Sequence, residues 1–261
     1  MVSCDVSARA LNMPTRPSRP KAAPTGWGVY TGTIMGTIMG TITGMAMPSP
    51  TDPVALLTLV SWLSPSCPVG AYSYSHGIEW LVESGDIGDG DSLYQFLADC
   101  LAAGAGWSDA ILFAAAWRAP ASDEISSLAA ALCPSSERRL ETMAQGAAFA
   151  RVVSDAWGIE LGPAAYPVAV ARAARIVGAG LEESLSLYLH AWAQNLVSAA
   201  VRLVPLGQTD GQRVIARLAP LVAGIADRAI AADPDDLGGV AFGADIASMR
   251  HETQHTRLFR S

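Results

Sequence analysis

Two histidines near the end of the sequence have the spacing of a zinc-protease motif. The segment His251-Glu252-Thr253-Gln254-His255 reads H-E-x-x-H, in which two histidines one helical turn apart bind zinc and the glutamate activates water. Such a site needs a third protein ligand, usually downstream, yet the six residues after His255 include no His, Asp, Glu or Cys. A zinc-dependent hydrolase is therefore an alternative that the sequence does not favour, and we expect no catalytic residue, no metal and no cofactor.

A second group of polar residues, Tyr72 to Glu79, contains hydroxyls, a histidine and a carboxylate. As a hydrolase site it would use Ser73 or Ser75 as the nucleophile and His76 as the base. The G-x-S-x-G turn is missing, however, and residues adjacent in sequence rarely form such a pair. Ser75 as the N-cap of a helix, with Glu79 in its first turn, explains the polarity more simply.

Charge and composition exclude several classes of protein. The 261 residues carry a formal net charge of −7, and their 17 basic residues form no basic run, so we expect no nucleic-acid partner. Lys21 is the only lysine, which excludes a P-loop or a Schiff-base enzyme in the rest of the chain. The four cysteines form no C-x-x-C pair, so the sequence predicts neither a disulfide framework nor a zinc finger and fits a reducing cytoplasm.

The elements that must position these residues are predicted to be helices. Apolar residues make up 51 % of the sequence, mostly alanine and leucine, so we expect one compact all-α bundle of roughly ten helices over residues 51–261. Thr51 or Asp52 is expected to cap the first helix. The predicted helices cover residues 53–64, 75–84, 91–104, 108–118, 122–132, 135–157, 165–178, 182–203, 209–231 and 243–256. The clearest apolar stripe, on helix 182–203, contains Leu185, Leu189, Trp192, Leu196, Ala199 and Leu203.

The first 50 residues differ in composition from the rest. They carry a balance of +3 charges against −10 for residues 51–261, and a Gly-Thr-Ile-Met repeat begins at Gly32. We expect a low-complexity, disordered extension, or residues upstream of the true start codon. A membrane helix over residues 27–47, with glycines spaced as G-x-x-x-G, is the alternative, although glycine and threonine make it weakly apolar.

The last residues of the sequence combine arginines with apolar side chains. Arg250, Arg257 and Arg260 face only one acidic residue, Glu252, between residues 248 and 261. Leu258 and Phe259 are expected to have no local cover. A frayed terminus is one interpretation, and a binding anchor of arginine and aromatic residues is the one we favour.

The connection Leu206–Gln212 joins two long predicted helices. In one interpretation this connection is a simple turn formed by its glycines, and Thr209 or Asp210 caps the next helix. Its glutamines, Gln208 and Gln212, are not needed for a turn, so a contact role stays open.

Three blocks of sequence together resemble the UreF family of urease accessory proteins. The first runs from Ser64-Pro65 through Pro68-Val69-Gly70-Ala71-Tyr72-Ser73 to Gly77-Ile78-Glu79, the second is Asn195–Gln212, and the third is Asp245–Glu252 with the ending Arg257–Ser261. Cys67 replaces an aromatic residue that is common in the family, and Ile78 replaces a leucine. The likeness spans residues 54–261 and does not include the first 50.

The resemblance implies a non-catalytic all-α protein that forms homodimers in the cytoplasm. Its implied partners are UreD (also called UreH), the GTPase UreG and the apo-urease subunits, and its role is to couple GTP hydrolysis to nickel insertion. The tail, residues 250–261, would dock into UreD and help organise the UreG site. The resemblance implies no nucleic-acid partner and no membrane association. The residues expected to contact partners are Arg250, His251, Glu252, Arg257, Leu258, Phe259, Arg260, Gln208, Asp210, Gln212, Tyr72, Ser75, His76 and Glu79.

Overall fold

The computed structural model describes residues 52–261, which form helices and no β-strand. The ten α-helices of this region are α1 Pro53–Trp62, α2 Ile78–Ser84, α3 Gly90–Ala103, α4 Ala105–Arg118, α5 Asp123–Ala131, α6 Ser136–Trp157, α7 Tyr166–Ile176, α8 Leu181–Leu203, α9 Gln208–Ala231 and α10 Phe242–His251. Short 3-10 helices occupy Ala71–Ser73 and Pro234–Asp236. The prediction of an all-α bundle of roughly ten helices is confirmed, whereas the expectations for residues 1–50 and for Thr51 lie outside the described residues.

Three of the ten described α-helices, α1, α3 and α6, begin after a residue whose side chain accepts a backbone N–H of the first turn. Asp52 accepts the Val54 N–H at 3.1 Å just before Pro53, so α1 has both an N-cap and a proline at its start. Asp89 forms a capping box with Ser92 at the start of α3. These local signals explain why most of the predicted boundaries were close.

The core is built around two alanine-rich helices, α4 and α7. Buried residues of α4 include Ile111 and Phe113, and nearly all of α7 from Val168 to Ala174 is buried. Small side chains let α7 pack closely against both α4 and α6. Helix α8 lies beside α9, and its predicted stripe is confirmed as core from Leu185 to Ala199.

Several predicted helix starts or ends differ from the structure. Helix α4 begins at Ala105, three residues before the predicted start at residue 108. Helix α2 begins at Ile78 because Gly77, at φ +81°, precedes it as the N-cap residue in place of Ser75. Helix α9 begins at Gln208 after Gly207, so Thr209 and Asp210 lie in its first turn and do not cap it.

The last predicted helix also differs from the structure. Helix α10 ends at His251, five residues before the predicted end. The chain then turns through hydrogen bonds from the Thr253 N–H to the Arg250 carbonyl, 3.2 Å, and from the Gln254 N–H to the His251 carbonyl, 3.1 Å. This turn sends the following residues back across α2.

One stretch of the described region, Gly90–Arg118, has the length and the apolar composition of a membrane-spanning segment, with a mean hydropathy of 1.3. It consists of α3 and α4, which are interrupted at Gly104. Much of it is buried against other helices, as expected for helices of a protein core. The suggested membrane segment 27–47 lies outside the described residues.

Candidate interaction site

The chain beyond α10, residues 252–261, folds back onto the segment between the first 3-10 helix and α2, and from here on we call these ten residues the tail. The Arg260 N–H donates to the Ser73 carbonyl at 2.8 Å. The Ser75 N–H and hydroxyl both donate to the Ser261 carbonyl oxygen, at 2.6 and 2.5 Å. Ser261 is fully buried. These backbone contacts give the tail a defined path, unlike a frayed terminus.

A carboxylate of α2 binds the middle of the tail. Glu79 is only 7 % exposed. Its Oε1 accepts the Leu258 N–H at 2.6 Å, and its Oε2 accepts the Phe259 N–H at 2.9 Å. Because hydrogen bonds to a charged acceptor are stronger than neutral ones, Glu79 is a major anchor of the tail.

A second carboxylate, Glu137 of α6, binds two side chains at the C-terminal end of the molecule. Its Oε2 lies 2.7 Å from His251 Nδ1, and its Oε1 pairs with Arg257. The other nitrogen of His251, Nε2, lies 3.4 Å from Glu79 Oε2. His251 is therefore buried between two glutamates, where it joins α10 to α2 and α6.

The two histidines of the H-E-x-x-H segment do not share one helical face. Helix α10 ends at His251, which is buried, whereas His255 is exposed beyond the turn. Glu252 binds Ser136, whose N–H and hydroxyl both donate to its Oε1 at 2.7 Å. Within residues 52–261 no group of three or more His, Cys, Asp or Glu side chains is placed to hold a metal ion. The geometry gives the zinc alternative no support.

The two apolar side chains of the tail lie on opposite sides of it. Phe259 is only 5 % exposed, contrary to the expectation that it has no cover, and the Arg202 guanidinium lies 4.5 Å from its ring centroid. Arg202 also donates to the Tyr72 carbonyl at 2.9 Å. Leu258 is 79 % exposed and Tyr72 is 72 % exposed. We call the exposed side chains of Tyr72, Leu258 and Arg260 the tail surface.

Helix α10 carries an apolar stripe that the sequence analysis missed. Phe242, Ile246 and Met249 are spaced four and three residues apart, so they lie on one helical face, and each is at least half exposed. Exposed Val240 precedes them. A cavity of about 360 Å³ lies beside the stripe, against residues 96–103 of α3. Contiguous exposed apolar groups of this kind mark protein contact surfaces, and the spacing was visible in the sequence.

A buried charged network lies beneath the tail. Glu141 accepts hydrogen bonds from His76 Nε2 at 2.8 Å and from the Ser261 hydroxyl at 2.7 Å, and it pairs with Arg138. Burial alone would raise the pKa of Glu141, but Arg138 and then His76 outweigh it and lower the pKa to about 2. Burial, and then Arg138, lowers the pKa of His76, so the imidazole is neutral at pH 7.

The pKa of Asp109 of α4 is shifted in the opposite direction to that of Glu141. It accepts a hydrogen bond from the Tyr188 hydroxyl at 2.8 Å, and it lines a cavity of about 120 Å³ together with His76 and Glu141. Burial raises the pKa of Asp109 to about 6, against the opposing effects of Arg138 and the Tyr188 hydrogen bond. At neutral pH this carboxylate is ionised at a cost in stability.

We predict that Asp109→Asn removes this cost. The pKa of Asp109 is about 6 in the folded protein and 3.8 in the unfolded chain. The favourable contribution of Asp109 to the free energy of unfolding is therefore fully present below pH 3.8 and is lost as the pH rises through 6. The loss by pH 7.5 is about 3 kcal/mol. The free energy of unfolding should be measured with urea at pH 4.5 and 7.5. The difference between Asp109→Asn and the wild type should become more favourable to the variant as the pH rises, whereas the difference between the exposed control Asp155→Asn and the wild type should not change. Equal pH dependence in both variants would contradict this assignment.

The structure separates the predicted contact residues into three groups. The exposed ones are Arg250, Arg257, Leu258, Arg260, Gln208, Gln212 and Tyr72, and the half-buried ones are Glu252 and Asp210. The buried ones, which hold the tail or the network beneath it, are His251, Phe259, Ser75, His76 and Glu79. The tail and residues 72–79 are brought together. Asp210 instead pairs with Arg213 of its own helix, Oδ1 to Nη1 at 2.6 Å.

Fold and site together define an all-helical protein whose prominent exposed features, within residues 52–261, are the tail surface and the apolar stripe of α10. The UreF family model matches residues 87–219. A urease accessory protein UreF of Ruegeria pomeroyi is 47% identical over 218 residues, which are 82% of this chain and 100% of the relative. Another, of Xanthobacter autotrophicus, is 54% identical over 224 residues, or 80% of this chain and 92% of the relative. The chain belongs to the UreF family, as its three sequence blocks predicted.

Proposed function

We propose that this protein is a non-catalytic assembly factor that binds UreD (UreH) and the GTPase UreG and couples GTP hydrolysis to nickel insertion into apo-urease. The relatives are named urease accessory proteins. The observation that carries the proposal is the docked tail, which presents Leu258 and Arg260 beside Tyr72 while its backbone is fixed from below. As the resemblance implies, the protein would act as a homodimer in the cytoplasm.

The expected mechanism is differential binding. An assembly factor that binds one nucleotide state of a GTPase more tightly shifts the GTPase toward that state, and the coupling equals the difference in binding free energy. This chain would contribute surfaces and no reacting group. The nickel ion is the cargo of the assembly.

We assign the two exposed surfaces to the accessory partners. The α10 stripe, with Phe242, Ile246 and Met249, is apolar and at least half exposed, as expected for the centre of a lasting interface. The adjoining tail surface adds arginine and tyrosine, which are enriched among residues that dominate binding energy. Both surfaces lie in or next to the segment that the resemblance assigns to UreD docking.

The test of this proposal is co-expression with UreD, UreG and apo-urease, using the full chain and a chain that ends at Ala247. We expect the truncation to lose the UreD complex, together with nickel content and activity of urease, because it removes the tail and part of the α10 stripe. If the truncated chain still co-purifies with UreD and activates urease, the assignment of the tail to partner binding is wrong.

A pair of point variants controls for unfolding of the truncated chain. Leu258 and Leu140 are both exposed leucines, at 79% and 67%, but Leu140 belongs to α6 and is not part of the tail surface. Leu258→Ser should weaken capture of UreD by about tenfold, since a hot-spot side chain contributes more than 1 kcal/mol, and Leu140→Ser should not. Both variants should keep the melting temperature of the wild type, because neither side chain is buried.

A further inference from the structure

The cavity beside Asp109 is lined by most of the tyrosines of the described region. Residues 52–261 contain five tyrosines, and all but Tyr94 line this cavity of about 120 Å³. Trp192 adds a further aromatic ring to the wall. The lining tyrosines are Tyr72, Tyr74, Tyr166 and Tyr188. Because Tyr72 is exposed whereas Tyr188 is buried, the cavity leads from the surface into the core.

The same wall holds a carboxylate without a cationic partner. Arg138 and Glu141 both line the cavity, but they pair with each other, so their charges cancel. Asp109 accepts a hydrogen bond from the Tyr188 hydroxyl, and no residue of the described region forms an ion pair with it. The wall therefore carries one net negative charge when Asp109 is ionised. Since buried charges in proteins are normally paired, this wall is suited to a cation.

Aromatic rings around a carboxylate are the surroundings that bind ammonium-type cations. The faces of tyrosine and tryptophan rings attract a cation within about 6 Å, and a carboxylate accepts its N–H groups in charge-assisted hydrogen bonds. A transition metal would instead need several converging ligands, and residues 52–261 include no group of three or more that could hold one.

The indole N–H of Trp192 is a second sign of a polar occupant. This N–H is buried, and none of the described residues accepts a hydrogen bond from it. Buried polar groups are usually satisfied by protein or by water, and a water that accompanies a bound cation would supply the acceptor. The wall thus has both an unused charge and an unused donor.

We propose that this cavity is a binding site for one small ammonium-type cation, either the ammonium ion or a primary amine, held by Asp109 and by the rings of Tyr188 and Trp192. The cation enters past Tyr72. Once bound, it provides the counter-charge of Asp109 and stabilises the folded chain. The inference is independent of the assignment of surfaces to partner proteins.

The test is the melting temperature of the purified chain at pH 7.5 in ammonium chloride or methylammonium chloride, compared with sodium chloride at equal ionic strength. A ligand that binds only the folded state should raise the melting temperature by about 3–6 °C once its concentration is about ten times its dissociation constant. A rise with either cation supports the proposal, and the larger rise identifies the preferred ligand. Tetraethylammonium is too large for the cavity and should act like sodium.

A matched pair of variants assigns the response to the carboxylate. Asp109→Asn keeps the shape of the side chain and removes its charge, and it is expected to be stable at pH 7.5 for the reason given above. It should lose the response to ammonium-type cations, whereas exposed Asp155→Asn should keep it. If these cations raise the melting temperature of the wild type no more than sodium does, or if Asp109→Asn responds as the wild type does, the inference is overturned.

A pH series of the wild type provides a measurement that needs no variant. The pKa of Asp109 is about 6, set by burial against the effects of Arg138, the Tyr188 hydroxyl and Glu141, and His76 also lines the cavity. The response to ammonium-type cations should therefore disappear between pH 7.5 and pH 4.5, as Asp109 takes up its proton. A response of equal size at both values would contradict the proposal.

Discussion

Glu141→Gln is expected to lower the free energy of unfolding at pH 7 by about 3–5 kcal/mol, the usual cost of removing one partner of a buried ion pair. Glu141 is 3% exposed, and it accepts hydrogen bonds from His76, Gln145 and Ser261 in addition to its pair with Arg138. The amide removes the ion-pair partner of the buried Arg138 guanidinium, which is left with the weaker attraction of Asp109, and it places a donor where an acceptor is needed.

The pH dependence of this loss has a defined sign. The pKa of Glu141 is lowered from 4.5 to about 2, so the stability that its ionisation provides is present above pH 4.5 and is lost as the pH falls through 2. The difference between wild type and Glu141→Gln, measured by urea unfolding, should therefore shrink on acidification from pH 7 to pH 2.5. Exposed Glu182→Gln serves as the control and should match the wild type. A loss under 1 kcal/mol at pH 7 would show that the network is not a stabilising ion pair.

Gly146→Ala is expected to destabilise the bundle by about 3 kcal/mol, near the upper end of typical overpacking costs. A Cβ on Gly146 of α6 would lie 1.9 Å from the carbonyl oxygen of Ala164, a backbone atom that cannot move aside alone. Helix α6 would have to shift away from the segment that leads into α7. The higher helix propensity of alanine returns only about 1 kcal/mol.

A second glycine provides the control for Gly146. Gly224 lies on the exposed side of α9, and a Cβ there meets no atom within 4 Å. Gly224→Ala should therefore raise the melting temperature slightly, through helix propensity alone, whereas Gly146→Ala should lower it by about 6–12 °C for a domain of this size. Similar melting temperatures for the two variants would mean that the contact between α6 and Ala164 is loose.

Local signals in the sequence were enough to predict the fold class and most helices. Prolines, glycines and capping residues such as Asp52 and Asp89 act on their immediate neighbours, so they can be read without knowing the fold. The exceptions arise where two distant segments approach each other. A Cβ on Gly77 would lie 2.7 Å from the Ser248 backbone nitrogen, and this approach of α2 to α10 imposes a glycine start on α2.

The site was predicted in part, because its contacts are almost all between distant residues. The sequence indicated that the tail and residues 72–79 matter, but not that they bind each other. It predicted Phe259 as an exposed anchor, whereas Arg202 covers its ring. A usable signal was Glu79 itself, a carboxylate between Ile78 and Leu81 that would need hydrogen-bond partners once buried.

The return of the tail to α2 has a consequence for the order of events during synthesis. Phe259 and Glu79 are 180 residues apart in sequence, and a chain leaves the ribosome from its N-terminal end. While the helices between them form, Glu79 lacks the amides of Leu258 and Phe259, and Ser75 lacks the carbonyl oxygen of Ser261. The positions that Phe259 and Ser261 will occupy stay empty until the residues after α10 have also emerged. Tail docking is therefore a closing step of maturation, and a newly made molecule passes through a stage in which the bundle exists without its tail surface.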